Sequence, residues 1–279
     1  MIIGAQKSAT TSLAGQLASH PEVSFCSKKE PGYFQRVEDW KAELPAYHAL
    51  YHPGAGQICG EASTMYTFLP EWTGTAERLH EYNPELKLIY LMRQPVDRIV
   101  SNYAHSLKMG RPAAAPEVEV LQNPSYVNRS RYGMQIRAYL DLFPREQILL
   151  LLFEDYVSAP RQTLEQVAAF LHLNPAPFQT IDTSARNASV KPNHAPAPLR
   201  AIQQSRWVRR LRAAVPEAAS HRLRAWASVH PTVERFAASE LPELPEFSAE
   251  LRRTLWRLLE DDVAVVEKLL GRELAEWRR

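Results

Sequence analysis

The chain has 279 residues, 45% apolar and 23% charged, an ordinary composition for a folded protein with a large buried core. Its formal net charge of +2 is too small to argue for nucleic acid as a partner. Its longest apolar runs, such as Ile148–Phe153, fall far short of the roughly 20 residues of a membrane span.

The first apolar segment, Ile2–Gly4, reads as a strand, and no secretory leader is read ahead of it, so a soluble, cytoplasmic protein is expected. Cys26 and Cys59 lie in no CxxC pair and read as free thiols of a reducing compartment. Thr11–Ser19 follows as a helix stopped by His20-Pro21. Val23–Cys26 is a short second strand and Gln57–Gly60 a weak third. Leu86–Met92, introduced by Asn83-Pro84, is a strong fourth, with Pro95 just beyond it at a helix start, where its missing N–H costs nothing. Ile148–Phe153 is the fifth strand and the most apolar. Runs of this kind suit strands of a parallel sheet buried on both faces, and their alternation with helices predicts an α/β doubly wound fold. After residue 199 the strand signals stop. Arg200–Arg224 is arginine-rich with Trp207, Val208, Leu211 and Val215 at helical spacing, and Phe247–Trp277 reads as one long amphipathic helix ending at Gly271. The expected organisation is a single domain, with an α/β core over 1–198 and a helical extension over 199–279.

Two segments carry chemistry. Gly4-Ala-Gln-Lys-Ser-Ala-Thr-Thr-Ser12 joins the first strand to the first helix, and it puts Lys7 and the hydroxyls of Ser8, Thr10 and Thr11 at a helix N-terminus. The unpaired N–H groups and partial positive charge there make a phosphate cradle. A Walker loop needs G-x-x-x-x-G-K-[ST], whereas one glycine precedes Lys7 here by three residues, so a ligand with fewer phosphates is expected. At the end of the fourth strand stands Arg93-Gln-Pro-Val-Asp-Arg-Ile-Val-Ser101. Arg93 falls at the carboxyl edge, where ligands bind in open α/β sheets. With Ser101, its planar fork suits a second, separate phosphate. Arg98 reads as a structural or surface partner.

Together with Lys29-Glu-Pro-Gly-Tyr-Phe34, Gly60-Glu-Ala-Ser63, Tyr132 followed by Phe143–Gln147, and Leu270–Trp277, these two segments resemble the sulfotransferase family that uses 3′-phosphoadenosine 5′-phosphosulfate, in particular the branch of heparan sulfate sulfotransferases and their bacterial relatives. The resemblance implies a P-loop-like three-layer α/β/α fold with a central, mainly parallel five-stranded sheet. It implies a donor site of Gln6, Lys7, Ser8, Ala9, Thr10, Thr11, Ser12, Arg93, Ser101, Tyr132 and Lys191, with the 5′-phosphosulfate on the first loop and the 3′-phosphate on the second. Adenosine 3′,5′-bisphosphate is the product and no metal is expected. Lys7 is placed on the bond that breaks. The general base is Glu30, aligned with the base of the glycan-modifying branch, or His105, four residues beyond Ser101 on one helical face. The acceptor is a hydroxyl or amine of a sugar, lipid or small natural product.

Two departures from the family pattern matter. Ala9 stands where glycine is frequent, which is tolerable if φ stays negative there. Ala62 replaces a lysine common in glycan-modifying members, so a glycan acceptor does not carry over. The arginine-rich stretch reads as a solvated helix, a lid for an anionic acceptor, or a membrane-surface contact aided by Trp207 and Trp226. The rival readings are a P-loop kinase, with Glu154-Asp155 as magnesium ligands, and a non-catalytic nucleotide-binding relative.

Overall fold

The computed structural model describes residues 1–109, 114–179 and 246–278. Five short strands, β1 (Ile2–Gly4), β2 (Val23–Phe25), β3 (Ile58–Gly60), β4 (Leu88–Met92) and β5 (Ile148–Leu152), lie where the apolar runs place them. Every pairing is parallel. β4 is central to a three-stranded sheet ordered β1-β4-β5, with Leu88 opposite Ile148 and Met92 opposite Leu152. β2 and β3 form a separate two-stranded sheet. The expected single five-stranded sheet is therefore found in two parts. The reason lies in register: β3 leaves its ladder at Gly60, and only beyond it does the chain come alongside β1. A single bridge, Ile2 with Ala62, joins the parts, supported by Ile2 N–H to the Glu61 carbonyl (2.8 Å) and Ser63 N–H to the Ile2 carbonyl (3.0 Å).

Alternation along the strands divides the core between two faces. On one, Ile2, Ile89, Leu91 and Leu151 pack with Leu13 and Leu17 of helix α1 (Thr10–Ala18) and with Leu164 and Val167 of the helix Pro160–Leu171. On the other, Ile3, Tyr90, Met92, Leu150 and Leu152 pack with Leu79, Ile136, Tyr139, Val263, Val266 and Trp277. β4 and β5 are covered on both sides, which explains their uninterrupted apolar runs.

The expected single C-terminal helix is two, Ala249–Arg257 and Glu260–Leu270. Leu259, at φ −121° and ψ −14°, breaks the spiral; it is fully buried, while Leu258 is turned 43% into solvent. The sequence pattern ran on through both leucines because each half is amphipathic. Gly271 ends the second helix as expected, in the left-handed conformation (φ 67°). Cys26 is buried, Cys59 is exposed, and both are free thiols. Among the described residues no helix is long and apolar enough to cross a membrane. The arginine-rich stretch, the proposed boundary at 198/199 and Lys191 lie outside the described residues.

Candidate active site

The loop between β1 and α1 leaves the carboxyl edge of the sheet. Ala5 N–H donates to the Leu91 carbonyl (2.7 Å), pinning the loop to β4, and Ser8 N–H returns to the Ala5 carbonyl (3.3 Å). Lys7 (φ 73°) and Ala9 (φ 62°) are left-handed. Ala9 therefore does not meet the condition of a negative φ. It is the N-cap of α1 with no side-chain cap, and its carbonyl accepts from the N–H groups of Ser12 (2.9 Å) and Leu13 (3.2 Å). The chain must reverse from strand to helix in the few residues between Gly4 and Thr10, and left-handed residues accomplish this. Ser8 is completely buried, yet its Oγ has no partner. Thr10 is buried, Ser12 half-buried and Thr11 exposed. Gln6 is half-buried and its Oε1 accepts from Arg129 Nη1 (3.4 Å); Arg129 is in turn held by Glu71 (2.6 and 2.9 Å) and lies 3.8 Å over the Phe68 ring.

Burial pushes the Lys7 ammonium below its ordinary pKa, and the charges of Lys108, Arg98, Lys29 and Arg93 push it further. Among the described residues, the charges that act on it most are cations. Such a cluster repels itself and favours an anion among its members. Arg93 directly follows β4, half-buried, with its guanidinium 4.7 Å over the Phe153 ring. Its main chain is held by fully buried Tyr132, whose hydroxyl donates to the Arg93 carbonyl (2.8 Å) and accepts from the Arg93 N–H (3.4 Å). The helix Pro95–Lys108 then begins, with Pro95 in its first turn as expected; Gln94 caps it by accepting from Asp97 N–H (2.7 Å). Ser101 is half-buried on this helix and His105 exposed. Lys108, two turns beyond Ser101 on one face, was not singled out from the sequence, although that spacing was available.

Glu30 follows β2 in a left-handed conformation (φ 48°), half-buried. Thr64 Oγ1 donates to its Oε2 (3.2 Å). Two residues on, Gly32 N–H donates to Ser63 Oγ (2.9 Å). The segment Ser63-Thr64 thus braces the Glu30 loop. Glu61 is buried and accepts through Oε2 from the hydroxyls of Tyr47 and Tyr51. Thr64 and Arg129 had no sequence signal, because their partners are remote along the chain.

The residues of the kinase reading are engaged elsewhere. Glu154 Oε1 accepts from Gln94 N–H (2.8 Å) and Asp155 pairs with Arg272 (2.8 Å). Among the described residues no group of three or more His, Cys, Asp or Glu is placed to hold a metal.

Comparison with known proteins bears on this geometry. The sulfotransferase domain family matches residues 1–197, which include the loop, Glu30, Arg93 and Ser101. The chain belongs to this family. Among sulfotransferases of known function, it is similar to carbohydrate sulfotransferase 15 of Mus musculus (27% identity over 62% of this chain and 43% of that protein). It is also similar to heparan sulfate glucosamine 3-O-sulfotransferase 6 of the same organism (30% identity over 62% of this chain and 52% of that protein). The chain thus spans about half the length of these curated relatives. A crystal structure of a sulfotransferase from Alicyclobacillus acidocaldarius superimposes over the whole chain and 97% of its own, with a TM-score of 0.65 and 26% identity.

Proposed function

We propose that the chain moves a sulfuryl group from 3′-phosphoadenosine 5′-phosphosulfate to a hydroxyl or amine of a sugar, lipid or small natural product. The observation that carries this reading is the cation cluster around half-buried Lys7, set beside the buried, unpartnered Ser8 hydroxyl. Both fit a phosphate-bearing anion, and the magnesium ligands that the kinase reading needs, Glu154 and Asp155, are engaged with Gln94 and Arg272.

When bound, the donor supplies a sulfuryl group on an already stable phosphate leaving group. Residues 6–12 hold the 5′ side through helix N–H groups and hydroxyls. Arg93 and Ser101 hold the 3′-phosphate, and Tyr132 fixes the Arg93 backbone rather than touching the ligand. Lys7 meets the negative charge that develops on the departing oxygen, in a site whose excess of cations is already in place. Glu30, oriented by Thr64, takes the acceptor's proton. Its half-buried position favours it over His105, which is exposed.

A screen of acceptor classes with isotopically labelled donor, read by mass spectrometry, tests the reaction. Lys7→Ala is expected to remove transfer while the protein stays folded. Glu30→Gln is expected to bind adenosine 3′,5′-bisphosphate normally while turnover falls by about two to four orders of magnitude; unchanged turnover would transfer the role to His105. ATP with magnesium binding more tightly than the bisphosphate would overturn the donor assignment.

A further inference from the structure

Arg98 is the strangest charge in the described structure. It sits in the first turn of the helix Pro95–Lys108 with no solvent exposure. Its guanidinium donates only to neutral groups, from Nε to Ser130 Oγ and from Nη2 to the Tyr126 carbonyl (2.7 Å). Nη1 is buried and has no partner. No ion pair among the described residues includes it, and the full charge nearest in effect is another cation, Arg129. A buried charge without a counterion is costly, and a cation at a helix N-terminus also opposes the helix dipole. A purely structural need for two hydrogen bonds is met elsewhere in proteins by neutral side chains.

The surroundings indicate what the charge serves. Arg98 stands one turn before Ser101 on the same helix face, and its charge reaches Lys7. It also acts on Tyr90, whose ring lies directly behind Gly4 at the root of the loop. Ser8 Oγ is a further buried polar atom without a partner in this neighbourhood. The Arg98 charge, which has no counterion among the described residues, acts on Lys7 and stands one helical turn from Ser101.

We infer that Arg98 is a positioning residue of the donor site: a buried positive pole, unpaired within the described protein, whose compensation is the bisphosphate bound above it. The inference rests on the donor assignment made above. Its burial depresses its own pKa to about 10, and it contributes to the depression at Lys7, as expected of charges that await an anion.

The test compares the full chain with Arg98→Met and Arg98→Lys, measuring adenosine 3′,5′-bisphosphate affinity by calorimetry over a range of salt concentrations, with thermal unfolding in parallel. Arg98→Met is expected to weaken binding about tenfold or more, since one favourable charge is lost from a poorly solvated site, and to flatten the salt dependence. Arg98→Lys keeps the charge and is expected to recover most of the affinity, whatever either variant does to stability. Equal affinities and salt slopes in wild type and Arg98→Met overturn the inference alone, and so does loss of affinity in both variants in proportion to lost stability. Failure of the wild-type protein to bind the bisphosphate overturns the donor assignment and this inference together. A measurement on the unaltered protein serves where a variant does not fold. The Arg98 guanidinium signals in a ¹⁵N-arginine NMR spectrum are expected to shift on bisphosphate saturation, and signals that stay in place contradict the proposed role.

Discussion

Gly4→Ala tests how tightly the root of the loop is built. A Cβ at Gly4 would stand 2.3 Å from Thr67 Oγ1 and 2.7 Å from Tyr90 Cε2. Neither neighbour is free to retreat. Thr67 is buried and its hydroxyl lies between the carbonyls of Ile3 (3.2 Å) and Thr64 (3.3 Å). Tyr90 is fully buried in β4, edge-on to Tyr132. Overpacking commonly costs about 1–3 kcal/mol, and two contacts this short against locked neighbours place the change near the top, about 3 kcal/mol. With an unfolding entropy of about 2 cal/mol/K per residue, that is a fall in Tm of about 5 °C for 279 residues. Thr67→Ala alone forfeits hydrogen bonding of about 1 kcal/mol. In the double variant the shorter contact no longer exists, so the two changes together are expected to cost less than their sum by about 1 kcal/mol or more. Urea unfolding of the four proteins measures this cycle. Strict additivity, or Gly4→Ala within about 0.5 kcal/mol of wild type, would refute the claim that this backbone position has no room for a side chain.

Three further outcomes follow from the same geometry. Ala9→Gly removes the cost of a left-handed alanine, about 1–2 kcal/mol, against about 0.4–1 kcal/mol of added unfolded-state freedom, so it should be neutral to mildly stabilising. Ala9→Val should be clearly destabilising, and equal midpoints for glycine and valine in urea unfolding would contradict the positive φ. Tyr132→Phe leaves the Arg93 main chain without its hydroxyl partner, a loss of about 1–3 kcal/mol. It should weaken bisphosphate binding measurably in calorimetry; lost stability with unchanged affinity would make Tyr132 a purely structural residue. Because the Lys7 pKa is lowered from 10.5 in the free protein, the unfolded chain holds the proton more tightly there. In the window below 10.5 the Lys7 contribution makes ligand-free stability rise with pH, while bisphosphate affinity, which needs the charged amine, falls. Calorimetry in buffers of different ionisation enthalpy should show proton uptake on binding in that window and none for Lys7→Ala.

The parts of this protein that were legible in the sequence are those whose causes are local. Five apolar runs located five strands, Pro95 marked a helix start, and Gly271 marked a helix end, because strand burial, an absent N–H and a permissive φ each act within a few residues. The loop between the first strand and the first helix was legible for the same reason: glycine, lysine and hydroxyls fall within nine consecutive positions. The split of the sheet was not, because it depends on how far β3 extends before it meets β1, and residue types do not encode that register. Nor was the break at Leu258–Leu259, since both halves keep the same apolar spacing.

The candidate site shows the same limit more sharply. Thr64 reaches Glu30 across 34 positions, and Arg98 reaches Ser130 across 32. Side chains on both ends of these contacts are common surface residues, and only the fold converts them into a bracing hydroxyl and a buried cation. The cost of burying Arg98 exists only in the tertiary structure, so no periodicity or motif spacing registers it. Arg98 lies seven residues before His105 in the sequence, within the segment that holds Arg93 and Ser101, yet by residue type it reads there as a surface or scaffold residue. In this candidate site the loop sequence supports a proposal about the class of ligand, whereas the buried charge of Arg98 is a feature that the sequence does not disclose.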